Sequence, residues 1–448
     1  MPSRSSGARD AGLAEEIGED RACSQEMAGV NAPAAVTGDP VAMLMMHGAQ
    51  QCDREGESIM AQATALEISE EEAASYRSRF PIFEHTIYLN SCSLGPLSTE
   101  AMQALASYQE DWSRYGAPVW WNTWMPKLDE AKSRFAQLIG AEPREVTISH
   151  SISSALSSIA SCFDYRDRRS VVCADLDFPT IAYQWLAKSR DGVSVRFASS
   201  PDRIQVPLSE YQKSMDGEVS LLATSHVFYA TGAVQPVRDL AGLAHSHGAK
   251  IIVDGYHSVG VLPINVKELD VDFYVGGTLK WLLGGPGLTF IYVREELIPQ
   301  LEPRIAGWFS SADQFAFDTL QLDRSTTADR LELGTPSVPT AYAGVAGMDM
   351  ILEAGPERIW PRLQMLTERI IERADVKGYE IVSPRDASQR GGIVMLRLDR
   401  PRETVTELAE RGFTVDYRPG LVRISPHFYN TLDDVDRVMD EIAAIQKD

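Results

Sequence analysis

Seven short apolar runs, at residues 147–149, 171–174, 193–197, 219–224, 250–253, 273–275 and 288–292, recur through the middle of this chain with helical stretches between several of them. Runs this short and apolar throughout have no polar face to show to water, so each must be covered on both sides. Candidate helices over 151–162, 180–189 and 237–247 supply the cover, and strand–helix–strand repetition predicts an α/β fold on a mostly parallel sheet. In such sheets ligands gather at the carboxyl ends of the strands. Past about Pro339 the pattern shifts to longer amphipathic helices, with Ile359, Leu363, Leu366 and Ile370 at spacings of four, three and four. Residues 392–396 and 421–424 then read as strands and 432–445 as a closing helix, which together predict a smaller α/β domain.

Over 448 residues, 63 acidic against 42 basic side chains leave a formal charge of −21, which argues against a nucleic-acid backbone or an anionic membrane as general partner. No apolar stretch reaches the length of a membrane-crossing helix, and Met1-Pro-Ser-Arg-Ser-Ser is followed by polar and acidic residues instead of a signal core; a soluble, cytoplasmic protein is expected. Residues 1–60 hold no sustained period and read as a tail, either disordered or an arm for a partner, and Met60 would also make a sensible start. Cys23, Cys52, Cys92, Cys162 and Cys173 form no C-x-x-C pair and no zinc-type spacing, so reduced thiols and no metal site are expected.

The chemistry-bearing stretch is Val253-Asp-Gly-Tyr-His-Ser-Val-Gly260, followed by Val275-Gly-Gly-Thr-Leu-Lys-Trp-Leu-Leu-Gly-Gly-Pro-Gly287. An aspartate ending a buried strand needs a partner, because an isolated buried carboxylate is costly. Asp254 and Lys280 at the ends of two strands could simply pair with each other. Alternatively, the carboxylate faces a protonated pyridine nitrogen while the lysine amine forms a Schiff base with an aldehyde cofactor.

In these residues the chain resembles the class V, aspartate aminotransferase-like family of pyridoxal 5′-phosphate enzymes, near its kynureninase and cysteine desulfurase branch. The resemblance runs from about Thr86 to Ile445. It implies fold type I: a large cofactor-binding domain at 97–339 around a mostly parallel seven-stranded sheet, a small α/β domain at 340–448, and a segment at 61–96 that packs on the small domain and covers the site. It also implies that Lys280 carries the cofactor, Asp254 keeps its pyridine nitrogen protonated, and His257 lies near its 3′-oxygen. In Asp177-Phe-Pro-Thr180, Phe178 would stack on the ring. Ser151 and Ile152, at a helix start, would hold the phosphate, although serine at that place is also a good helix cap. Ser225 or His226 would supply a polar contact at a strand end, and Thr278 a phosphate hydroxyl. Thr335 in Leu333-Gly-Thr-Pro336 and Trp308 in Gly307-Trp-Phe309 would reach the cofactor of a second subunit, which implies a homodimer with shared sites. For the amino-acid substrate, Asn90 and Ser91 would be contacts, and Arg423 within Asp416-Tyr-Arg-Pro-Gly-Leu-Val-Arg-Ile-Ser-Pro-His-Phe-Tyr-Asn430 would clamp the carboxylate; an ion pair to a neighbouring acid is the alternative.

The family shares a quinonoid formed by loss of the substrate Cα proton, and the fate of that intermediate decides the reaction. A persulfide-forming desulfurase needs an acceptor cysteine toward the C-terminal part, and none occurs beyond Cys173. Leu279 stands where kynureninases carry a tyrosine before the lysine. Those departures favour an aminotransferase acting on an α-amino acid, with a lyase or kynureninase-like hydrolase as the alternative.

Overall fold

A computed structural model describes residues 67–447. The expectations for a tail at 1–60 and a start at Met60 lie outside the described residues. In chain order the first elements are α1 (Glu70–Arg77), β1 (Ile87–Tyr88), α2 (Thr99–Tyr115), α3 (Met125–Ile139), β2 (Val146–Ser149), α4 (Ile152–Ser161), β3 (Ser170–Ala174), α5 (Pro179–Leu186), β4 (Ser194–Ala198), α6 (Leu208–Ser214), β5 (Val219–Ser225), α7 (Val237–Ser246), β6 (Lys250–Asp254), β7 (Phe273–Gly277) and β8 (Thr289–Val293). After them come α8 (Val338–Ala354), α9 (Pro356–Lys377), β9 (Glu380–Ile381), β10 (Val394–Arg397), α10 (Pro401–Glu410), β11 (Phe413–Thr414), β12 (Asp416–Arg418), β13 (Leu421–Ile424) and α11 (Leu432–Ile445).

The seven apolar runs form one sheet in the order β2-β8-β7-β6-β5-β3-β4, with only β8 antiparallel to its neighbours. Alternation along each strand divides the side chains between two cores. Val172, Leu222, Ile251, Val253 and Tyr274 enter one, while Val171, Leu221, Ile252, Phe273 and Val275 enter the other. This two-sided burial is why the strands read as continuous apolar runs. On the first face Phe135 of α3 stacks on Phe290 of β8 at 4.4 Å between ring centres.

A second, antiparallel sheet runs β12-β13-β10-β9. The stripe Ile359, Leu363, Leu366 and Ile370 lies on α9 and is buried throughout. Strand β10 begins at Val394 and not at Gly392, which is a point of close approach: a Cβ there would sit 2.7 Å from the indole of Trp281. Helix α5 stops at Leu186 instead of 189; a short 3-10 turn comes next and ends on Gly192 at φ +88°. The segment after α1 joins the two sheets. β1 pairs in parallel with β11, Asn90 bridges Ser425, and the Gly95 N–H donates to the Leu279 carbonyl at 2.9 Å. Cys92, Cys162 and Cys173 are free thiols, and among the described residues no helix is long and apolar enough to cross a membrane.

Candidate active site

Strand order decides which residues meet. β6 ends on Asp254, in register with Ser225 at the end of β5. β7 ends three residues before Lys280, and β3 ends four residues before Phe178. Because β7, β6, β5 and β3 are consecutive neighbours and run the same way, their carboxyl ends place Lys280, Asp254, Ser225 and Phe178 side by side. With Ile152 and His257 they line one cavity of about 230 Å³.

Asp254 is 8% exposed and accepts one hydrogen bond, from the Tyr256 backbone N–H at 2.9 Å. Among the described residues it makes no ion pair, so the simple Asp254–Lys280 pairing does not form. Burial pushes its carboxyl up to about 6, against the pull of that N–H and of the Lys280 charge. The Lys280 amine lies 2.8 Å from His257 Nε2 instead. Burial brings its ammonium down to about 8, which makes the free, nucleophilic amine accessible near neutral pH. His257 is buried and held neutral, its pKa driven well below the ordinary value by burial and then by Lys280, Arg423 and Arg418.

Helix α4 starts at Ile152, and Ser151 caps it by accepting the Ser154 N–H at 3.1 Å. The N–H groups of Ile152 and Ser153 open the helix, so they have no carbonyl one turn back to bond, and both residues line the cavity. Phe178 is 46% exposed and presents its ring to the cavity, edge-on to Tyr229 at 5.1 Å. These features match the parts of pyridoxal 5′-phosphate: helix N–H groups for a dianionic phosphate, an aromatic face for the ring, an unpaired buried carboxylate for a protonated ring nitrogen, and an amine for the aldehyde.

Other expected residues are placed differently. His226 comes directly after Ser225 and so faces the opposite way; its Nδ1 hydrogen-bonds the Tyr274 hydroxyl at 2.9 Å, and Ser225 alone of the two lines the cavity. The Thr278 hydroxyl, wholly buried, donates to the Gly285 carbonyl at 2.9 Å and so braces the glycine-rich turn, leaving no proton for a phosphate. Ser151 spends its hydroxyl on the cap and stands outside the cavity wall. Ser91 is buried against the Tyr429 hydroxyl at 2.7 Å, and Asn90 sits in the bridge to Ser425; neither lines the cavity. Arg423, 1% exposed, pairs with Asp416 at 2.6 Å and donates to Ser93 Oγ at 2.6 Å and to the Tyr229 carbonyl at 3.2 Å. The alternative ion pair is therefore present, one residue behind the cavity wall, while the buried Nε of Arg423 finds no partner among the described residues. Trp308 stacks on Phe317, and Thr335 is exposed; neither borders this cavity within one chain. Ser153, Thr180, Tyr229 and Tyr256 line it although the sequence did not single them out; of these, Thr180 carried a signal, as the last residue of Asp177-Phe-Pro-Thr180.

Comparison with known proteins gives three kinds of likeness. The family model described as aminotransferase class-V matches residues 87–438. The chain is 34% identical over 369 residues to an uncharacterized aminotransferase, YcbU, of Bacillus subtilis (strain 168), covering 82% of this chain and 97% of the relative. It is 29% identical over 407 residues to a kynureninase of Bacillus thuringiensis subsp. konkukian (strain 97-27), covering 84% and 92%. Its fold is similar to that of a cysteine desulfurase from Thermococcus onnurineus NA1, with a TM-score of 0.76 at 23% identity over 83% of this chain and 97% of that one.

Proposed function

Because the chain belongs to the aminotransferase class-V family, whose cofactor is pyridoxal 5′-phosphate, we propose that it is an aminotransferase acting on an α-amino acid, with Lys280 as the cofactor-bearing lysine. The observation that carries the reading is the meeting of Lys280, His257 and an unpaired, buried Asp254 at adjacent strand ends. Identity to a relative named as an aminotransferase supports transfer over cleavage, and the absence of any cysteine after Cys173 speaks against a persulfide-forming desulfurase.

When bound, the cofactor supplies an aldehyde for amine condensation and a protonated ring that withdraws electrons from the substrate Cα. The backbone N–H groups of Ile152 and Ser153 bind the phosphate, with the positive end of α4 behind them. Asp254 holds a proton on the ring nitrogen, a partner that offsets the cost of its burial. Phe178 covers one ring face and excludes water from it. As a free amine Lys280 would be placed to accept the proton lost from the substrate Cα and to give it up again, and an amine brought down to about 8 suits that exchange near neutral pH. Arg423 would reach the substrate carboxylate by turning its guanidinium from Asp416 toward the cavity. Thr335 and Trp308 act in the site of a second subunit of a homodimer, which accounts for their distance from this one.

The test is the visible absorption of the loaded protein as single amino acids are added without any keto acid. Lasting loss of the band with one keto acid formed per site is the expected result. A band that returns while product accumulates would replace transfer with side-chain cleavage, the chemistry named for the kynureninase relative.

A further inference from the structure

A line of hydrogen bonds runs from the C-terminal segment to the amine of Lys280, and its donors and acceptors can be ordered from residue chemistry. The Phe428 backbone N–H donates to His427 Nδ1 at 2.9 Å. A neutral imidazole that accepts at one nitrogen carries its proton on the other, so His427 Nε2–H donates to the Trp281 carbonyl at 3.0 Å. Burial takes His427 down to about 4 and keeps it neutral. The indole Nε1–H of Trp281 is a donor only, and it points at His257 Nδ1 at 3.2 Å. His257, also neutral, must then carry its proton on Nε2, 2.8 Å from Lys280 Nζ. An ammonium has no lone pair to receive that proton; a free amine does. Trp281 cannot swing aside: it is 1% exposed, and its ring edge abuts Gly392, where even a Cβ would come within 2.7 Å.

From this geometry we infer that Trp281 is a positioning residue that fixes the Nε2–H tautomer of His257, and that this tautomer favours the free-amine form of Lys280 that takes up an aldehyde. The inference rests on Lys280 being the cofactor-bearing lysine, but its structural half does not need the cofactor. Other groups act on the same amine. Asp254 from β6 and Cys92 from the loop after β1 favour its charged form; Arg418 on β12 and Arg423 on β13 oppose it, and Tyr256 lies 4.9 Å under the nitrogen. Trp281 differs from all of them in acting through a proton's position, without charge.

Two measurements on cofactor-free protein test it. Long-range proton–nitrogen spectra of histidine-labelled protein should show His257 protonated at Nε2 in the wild type, and a changed tautomer balance in Trp281→Phe. In parallel, the pH profile of Lys280 acylation by trace acetic anhydride, read by peptide mass spectrometry, should move to higher pH in Trp281→Phe. The reactive fraction at pH 7 should fall by about three- to tenfold, the worth of one ordinary hydrogen bond. Should Trp281→Phe fold poorly, 3-benzothienylalanine at position 281 keeps the ring's size and lacks only the N–H; it should give the same shift. A wild-type His257 protonated at Nδ1, or an unmoved Lys280 profile in the sulfur analogue, would overturn the assignment. A Lys280→Ala protein that still turned over amino acids would instead sink the cofactor-lysine reading and leave the tautomer result standing.

Discussion

Replacing Asp254 with asparagine should make the cofactor-free protein more stable and the loaded protein less so. The carboxyl is raised from 3.8 to about 6 by burial without a cation, roughly a hundredfold in proton affinity. At 1.36 kcal/mol per tenfold the ionised group therefore costs the empty fold roughly 3 kcal/mol. The sign comes from proton binding: between pH 3.8 and about 6 the folded state holds more protons than the unfolded one, so stability falls as pH rises through that window. Above about pH 6 the whole cost stands. Asparagine removes the charge and keeps an oxygen to accept the Tyr256 N–H. Denaturant titrations of both cofactor-free proteins from pH 4 to 8 should show Asp254→Asn ahead by up to about 3 kcal/mol at pH 7.5, with the gap closing toward pH 4. With pyridoxal 5′-phosphate bound the order should reverse, since only aspartate meets a protonated ring nitrogen with a charge; losing one side of a buried pair costs about 3–5 kcal/mol. Equal stability of the two empty proteins at pH 7.5, or a gap that does not shrink in acid, would refute the reasoning.

Removing Arg423 should weaken amino-acid substrates through their carboxylate. Arg423→Ala is expected to cost about 2–5 kcal/mol in kcat/KM for free amino acids and far less for their amides; equal losses for both would take Arg423 out of substrate binding. Gly95→Ala places a Cβ 2.2 Å from the Lys280 carbonyl oxygen, so the lysine loop or the covering loop must give way. A loss of about 1–3 kcal/mol in thermal stability is expected, together with faster loss of cofactor on dialysis; unchanged retention would show that the two loops move independently.

The sheet was legible because double burial writes itself into a chain as unbroken apolar runs, and the ends of those runs then located Asp254, Ser225 and Lys280. Facing was harder to read. Ser225 and His226 are equally polar in sequence, and only the pleat sends one into the cavity and the other to Tyr274. Thr278 looked free for a ligand because nothing local reveals that the chain returns to offer it the Gly285 carbonyl. Tyr229 and Tyr256 lie in loops after strands, where no period survives to say which way a ring will turn. Trp308 and Thr335 pose a different difficulty: the role proposed for them would lie in a second subunit's cavity, so neither periodicity nor a single chain's contacts can express it.

The pairing of β1 with β11 has a consequence for how this protein is made. Ile87 and Tyr88 find their partners at Phe413 and Thr414, so the loop that rests on Lys280 is anchored by residues synthesised more than three hundred positions later. At about 5–20 residues per second the ribosome leaves the N-terminal side of that pair waiting for tens of seconds, with the central sheet free to fold meanwhile. The cavity over the lysine is then closed after the central sheet, by a contact of very long range. Tight cofactor capture would in that case wait until β11 has been made, and a nascent chain that stops short of it would lack that capture even with its sheet in place.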